Sequence, residues 1–242
     1  MKIIFFLLLS QVCFAYQLTQ DFRNGFYWAN LPVKIVVSES IPSKVDVLKR
    51  LSQKAVQEWE SKSGFSLWSF VNSGTPNLIR WSDNFAQETK YDAQSVLAVA
   101  IRYTDGPYFA RTEIIINGNH PINSVEQHLQ TTITHELGHT LGLDHSENMN
   151  AVMAPTLQYP YYGLHQDDLD GMNEVVTTTQ DRERVNYVSP LAYEEKTSSS
   201  SPLSCGTVQV SPQGLGQGYF SLALGVLLSV MRRVLNWFKN LR

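Results

Sequence analysis

Cysteine is scarce in this 242-residue chain, which contains only Cys13 and Cys205. Cys13 lies in an N-terminal segment that we expect to be removed, so Cys205 would be the one cysteine of the mature chain. No intrachain disulfide could then form, and the folded domain must rest on its hydrophobic core. A strong net charge is also absent, since 19 Lys and Arg against 22 Asp and Glu leave −3. This balance gives no reason to expect nucleic acid as a partner.

Long apolar runs are lacking as well, because none reaches the roughly 20 residues that a membrane-spanning helix needs. Residues 3–9 are apolar and follow Lys2, and Cys13 and Ala15 form the small-x-small pattern of a cleavage site. We therefore predict that residues 1–15 are a secretory signal peptide and that the mature chain starts near Tyr16. An uncleaved membrane anchor is the alternative, and the shortness of the apolar run argues against it.

The composition changes in the C-terminal part of the chain. Residues 179–213 are rich in Ser, Thr and Pro, which predicts a flexible tether. Residues 215–231 are uncharged and mostly apolar, and two arginines follow at once. With a Cys-Gly pair before it, this order resembles a bacterial C-terminal sorting signal. A plain membrane anchor over residues 214–242, with its basic end on the cytoplasmic side, explains the pattern equally well.

Residues 16–178 contain the periodicities of a folded domain. Apolar and alternating runs predict five strands, at residues 33–37, 65–71, 77–81, 95–103 and 110–117. Helical spacing predicts three helices, which begin near Ser43, Ser124 and Gln166 and end near Gly64, Leu143 and Val176. Ser43 is expected to cap the first helix, and Ser124 with Gln127 to form a capping box at the start of the second.

The second predicted helix carries the sequence HELGH at residues 135–139. His135 and His139 are four residues apart, which places both imidazoles on one helix face, where they can bind one metal ion. Glu136 lies beside the first of them. Bound zinc lowers the pKa of water to about 7, and a carboxylate can take that proton and pass it to a leaving amine. These five residues alone also occur as a solvated helix face.

The longer string HELGHTLGLDH, from His135 to His145, is more specific. Gly142 can adopt the left-handed backbone that ends a helix and turns the chain. That turn can bring His145 to the same metal as a third ligand. Three protein ligands leave the fourth position open, as a catalytic zinc requires. A structural zinc, normally closed by four protein ligands, is therefore disfavoured.

HELGHTLGLDH followed by Ser146 resembles the metzincin signature in its matrixin form, the group that includes the matrix metalloproteinases. Met153, in the sequence VMAP, is similar to the matrixin Met-turn methionine, which forms a hydrophobic floor beneath the zinc. Residues 165–172 resemble the start of the last matrixin helix. The resemblance spans residues 33–176. It implies an α+β metzincin fold: a twisted mixed sheet of about five strands with three helices, of which the active-site helix carries HExxH.

The resemblance implies a zinc-dependent endopeptidase that hydrolyses internal peptide bonds of extracytoplasmic proteins. His135, His139 and His145 would bind the zinc, and Glu136 would be the general base. The catalytic domain would cover residues 16–178, and the protein would be secreted or attached to the cell surface through its C-terminus. A non-catalytic, zinc-containing surface binding module is the alternative. The intact Glu136 counts against it, because a binding module needs no base beside its metal.

Further expectations concern the substrate cleft and the cofactors. Pro155, Tyr159 and Tyr161 are candidates for the substrate pocket, and by resemblance the strand at residues 110–117 is the edge that pairs with an extended substrate. Vertebrate matrixins hold a second, structural zinc through histidines, but Val99 stands where such a histidine would be expected. We therefore predict one catalytic Zn2+, whereas no motif indicates Ca2+. Protein or peptide substrates and a monomeric state are expected.

Overall fold

The structure, a computed structural model, describes residues 15–156, 163–193 and 204–209. Its helices and strands follow the chain in the order β1 (Gln17–Leu18), α1 (Gln20–Arg23), β2 (Val33–Val37), α2 (Pro42–Ser63), β3 (Trp68–Phe70), β4 (Leu78–Ser82), α3 (Phe85–Thr89), β5 (Val96–Asp105), β6 (Tyr108–Asn117), α4 (Glu126–Leu141), β7 (Leu143–Asp144), α5 (Gln166–Arg184) and β8 (Ser204–Gln209). None of the helices in these ranges is long and apolar enough to cross a membrane. The apolar span predicted at residues 214–242 lies outside the described residues.

The main sheet is mixed and has the strand order β3-β2-β4-β6-β5-β8. Its first four strands are parallel neighbours, whereas β5 is antiparallel to β6 and β8 is antiparallel to β5. The prediction of a mixed α+β sheet is confirmed. The expectation that residues 110–117 form the edge is wrong, because β6 lies between β4 and β5. A two-residue turn at 106–107 folds β6 back on β5 as a hairpin, and its other side pairs with β4.

The long helices α2 and α4 pack against each other. Leu48, Leu51 and Ala55 recur at helical spacing on α2 and are almost completely buried. The indole N–H of Trp59, on the same face, donates to the carbonyl of Thr134 in α4 at 2.9 Å. Burial of this apolar face at about 25 cal/mol per Å² is the main contribution that holds α2 in place.

Both predicted helix caps are wrong. Ile41, rather than Ser43, precedes α2, and Pro42 occupies its first turn, where a missing N–H costs nothing. Ser124 does not cap α4, which begins after Val125 without a side-chain cap. The Ser124 hydroxyl instead donates to the carbonyl of Pro121 at 2.6 Å, within a short 3-10 helix that precedes α4.

The last helix, α5, continues to Arg184, eight residues beyond its predicted end at Val176. It continues because its C-terminal part packs on the domain: the guanidinium of Arg182 lies 4.6 Å from the centre of the Phe22 ring. After the helix, the Ser189 hydroxyl donates to the carbonyl of Asn24 at 2.6 Å. The segment predicted as a tether from residue 179 therefore begins as part of the folded domain.

Candidate metal centre

Helix α4 brings two histidines together in the interior. His135 and His139 have no exposed surface, and their ring centres are 4.6 Å apart. The Nε2 atoms of the two rings face each other at 2.9 Å. Glu136, between them in sequence, is also fully buried. The spacing of one helical turn therefore produces the juxtaposition that the sequence predicts.

The chain turns at Gly142, and this turn positions His145. Gly142 ends α4 with φ 118°, in the left-handed region, and a Cβ atom there would lie 2.7 Å from the Phe22 ring. Both conditions require glycine. The short strand β7 follows and pairs with β1. The His145 ring centre then lies 5.3 Å from that of His135 and 4.9 Å from that of His139.

Backbone carbonyls fix the orientation of the two helix imidazoles. Nδ1 of His135 lies 2.7 Å from the carbonyl of Val152, and Nδ1 of His139 lies 2.7 Å from that of Leu143. A carbonyl can only accept, so each Nδ1 is the protonated donor and each Nε2 carries a lone pair. Burial, aided by the neighbouring His145, lowers the pKa of His135 to about 3. Burial also holds the pKa of His139 far below its ordinary value, so both rings are neutral.

The three histidines fit zinc. One nitrogen from each of His135, His139 and His145 can be chosen so that all three lie within 4.8 Å of one another. Neutral imidazoles are ligands that Zn2+ prefers, whereas Ca2+ and Mg2+ take oxygen ligands. Two lone pairs that face each other in a buried site repel unless a cation lies between them. His135, His139 and His145 would therefore hold the metal, and their carbonyl partners would fix the ring orientations.

Met153 packs directly against the helix that carries the histidines. Its side chain is 1% exposed, and a side chain at position 138 would collide with its sulfur, so Gly138 is required for this contact. The carboxylate of Asp168 accepts the backbone N–H groups of Val152 and Met153 at 2.9 and 3.0 Å. Asp168 also accepts the N–H of His165 at 2.7 Å. This buried carboxylate therefore holds the Met153 turn beneath α4.

The C-terminal carbonyls of α4 receive donors from distant parts of the chain. Trp28 Nε1 donates to the carbonyl of Thr140, and the backbone N–H of Thr19 donates to that of Gly142, each at 2.8 Å. The guanidinium of Arg102 donates to the carbonyl of His139. These bonds satisfy groups that a helix end leaves without intrahelical partners. They also fix the position of the second zinc-ligand candidate.

Arg102 forms a buried ion pair that we did not predict from the sequence. Its Nε and Nη2 donate to the two carboxylate oxygens of Asp21 at 2.9 and 3.1 Å, and both side chains are almost completely buried. A sequence signal was present, since Arg102 interrupts the apolar run of β5. Its partner could not be identified, because Asp21 is 81 positions away and lies in a short helix.

Other predicted residues have different positions. Pro155 is half-buried and follows Met153 by two residues, whereas Tyr159 and Tyr161 lie outside the described residues. His120 and His165 serve as caps, of the 3-10 helix and of α5 respectively. Neither joins the group of three histidines in the part of the chain that the structure describes.

The structure is an α+β domain in which one buried helix supplies two histidines and the turn after that helix supplies a third. This is the arrangement of a metzincin zinc peptidase. The family model described as Matrixin matches residues 28–177, which is more than half of the chain. The chain therefore belongs to the matrixin family, whose members are zinc metalloendopeptidases.

Individual relatives cover smaller parts. The chain is 29% identical to human matrix metalloproteinase-20 over 156 residues, or 60% of this chain and 31% of that protein. It is 27% identical to metalloendoproteinase 1 of Glycine max over 144 residues, or 55% of this chain and 47% of that protein. A stretch of 47 residues is 49% identical to human matrix metalloproteinase-15 and covers 18% of this chain and 7% of that protein. The chain thus spans less than half the length of each of these relatives.

Proposed function

We propose that this protein is an endopeptidase that hydrolyses internal peptide bonds of extracytoplasmic proteins, with Glu136 as its general base. The observation that carries the proposal is the convergence of three imidazoles, from His135, His139 and His145, beside Glu136, a buried glutamate on the helix that carries the first two. A binding module would not need this carboxylate.

Each residue of the centre has a separate task. Zinc, when bound, supplies the Lewis acidity that activates water and polarises the scissile carbonyl. The three histidines hold the metal and leave a position open for the reactants. The Glu136 carboxylate takes the proton of the attacking water and delivers it to the nitrogen of the leaving amine. Met153 forms the apolar floor that packs against α4 and fixes the position of this helix.

The substrate would be an extended peptide that lies along the sheet beside α4. Pairing through backbone groups reads the extended shape rather than the sequence, so side-chain preference would come from a pocket. We assign its wall to Pro155, Tyr159 and Tyr161. The signal peptide predicted at residues 1–15 supports action outside the cytoplasm. The C-terminal residues 214–242 would keep the protein at a surface, as an anchor or a sorting signal.

The test compares two isosteric substitutions on one helix, Glu136→Gln and Glu126→Gln. Glu126 is exposed in the first turn of α4 and pairs with Arg50, so it controls for the loss of one carboxylate. We expect Glu136→Gln to lower kcat/KM on a mixed peptide library by about 10²–10⁴, the usual contribution of a general base. Both variants should retain one zinc per chain.

The readouts are metal content and chelator-sensitive cleavage of the full chain. Glu126→Gln should cleave like the parent. Undiminished cleavage by Glu136→Gln would refute the assigned role of this residue. A parent chain that binds zinc and cleaves nothing in the library would refute the peptidase and favour the binding module.

A further inference from the structure

The sixth strand of the sheet comes from the C-terminal part of the chain. Residues Ser204–Gln209 form β8, which pairs antiparallel with β5 along the outer edge of the β5–β6 hairpin. Cys205 lies opposite Ile101, and Thr207 lies opposite Val99. The pairing extends from Arg102 to Val96, with one irregularity between Val96 and Ala98. The backbone of β8 therefore covers most of the length of β5.

This strand also lies along the helix of the metal centre. Cα atoms of β8 come within 8 Å of Cα atoms of α4, the helix that carries His135 and His139. The same helix lies against β5. His135, Glu136 and His139 have no exposed surface in this conformation, whereas His145 is partly exposed. A peptide that paired with the outer edge of β5 would take the place of β8, so this edge is not available to it in this conformation.

An edge strand presents a row of backbone donors and acceptors, which an extended peptide can pair with. Each of these groups on the outer side of β5 can serve one partner strand at a time. A peptide that used this edge would therefore compete with β8. In a peptidase of this family the substrate pairs with the edge strand of the sheet, which is β5 when β8 is displaced. We infer that residues 204–209 are a built-in competitor of the substrate for the outer edge of β5. This inference rests on the endopeptidase function proposed above.

The connection to β8 makes such a competitor effective. Only residues 194–203 separate β8 from the described part that ends at Tyr193. A segment that belongs to the same chain as its partner strand has an effective concentration of about 1 mM. If β8 binds the edge with a dissociation constant of about 0.1 mM, a value within the usual range of KM values for substrates, β8 would occupy the edge about 90% of the time. Release of β8 should therefore raise kcat/KM about tenfold.

The test breaks the backbone pairing in the full chain with a double substitution, Thr207→Pro and Val208→Pro. In a strand, one of any two consecutive N–H groups faces the neighbouring strand, so two adjacent prolines remove a ladder bond in either phase. The matched control replaces the same two residues with alanine, which keeps both N–H groups. We expect the proline chain to show an apparent KM about tenfold lower at unchanged kcat, and the alanine chain to match the parent.

Hydrogen exchange supplies a readout that does not depend on activity. Backbone amides of β5 should exchange faster in the proline chain than in the alanine chain. Equal exchange would show that β8 does not cover β5 and would overturn the inference. Faster exchange with an unchanged KM would also overturn it, because substrate then binds elsewhere. If neither chain cleaves peptides in the presence of zinc while β5 exchanges faster, the endopeptidase itself fails, and the inhibitory role of β8 fails with it.

Discussion

The buried pair between Asp21 and Arg102 leads to a quantitative prediction about stability. Both side chains are inaccessible, and two of the hydrogen bonds between them are 2.9 and 3.1 Å long. Removing one partner of such a pair leaves a desolvated charge, which costs about 3–5 kcal/mol. We therefore expect Asp21→Asn and Arg102→Met each to lower the free energy of unfolding by about this amount.

The double variant measures how much of each loss comes from the interaction between the two charges rather than from their other contacts. With both charges gone, neither buried group is left without a counter-charge, and Met retains most of the apolar volume of the arginine stem. We expect the double variant to be more stable than either single variant, with a coupling energy of about 2 kcal/mol or more. The loss that remains would reflect the Arg102 bond to the carbonyl of His139.

The assay is urea unfolding of the four full-length chains, followed by circular dichroism. Free zinc must be held at one concentration throughout, because a ligand that binds the native state adds to the apparent stability. In thermal scans, each single substitution should lower Tm by roughly 6–20 °C. The reasoning would be refuted if the losses of the two single variants simply added in the double variant, or if each were below about 1 kcal/mol. The pair would then contribute no more to the free energy of unfolding than an exposed ion pair does.

Three further predictions concern the centre. Gly142→Ala should cost at least about 1–2 kcal/mol through its left-handed backbone, with more from the collision with Phe22, and should lower zinc content; unchanged Tm and metal content would contradict this. His135 has a native pKa of about 3 against an ordinary 6.5, so the unfolded chain binds more protons below pH 6.5. The stability of the chelator-treated domain should be present in full above about pH 6.5 and be lost progressively towards pH 3, and urea midpoints that do not change over this range would count against it. In Asp168→Asn an amide nitrogen replaces an oxygen that accepts N–H groups, which should cost about 2–4 kcal/mol; the check is Tm, and an unshifted value would disprove the role of this carboxylate.

The parts of the site that the sequence predicted are those that depend on local spacing. The four-residue separation of His135 and His139 places them on one helix face in any α-helix. A glycine three residues later is the residue type that a reversal of the chain requires. The runs that predicted the strands were also local, and each of the five predicted strands overlaps one in the structure.

The features that were missed depend on contacts between distant residues. Ser124 has the chemistry of a cap but bonds within the preceding 3-10 turn, because Pro121 begins a helix there. The edge of the sheet was assigned to residues 110–117, which is wrong, since strand order follows from how the β5–β6 hairpin docks on β4. Residues 204–209 lie in a polar stretch with no marked apolar pattern, so only the free edge of β5 explains why they form a strand.

The donors that complete the end of α4 also limit how early in synthesis this helix end can be supported. Thr19 and Trp28 lie 123 and 112 positions before the carbonyls that they satisfy. Contacts of such separation form slowly, because a long loop must be closed before they form. In a chain that is still being synthesised, Thr19 and Trp28 are made more than 100 residues before Thr140 and Gly142, so these bonds cannot form until the end of α4 has been made. The end of α4, with His139 on its last turn, would therefore gain this support only after most of the domain has been synthesised.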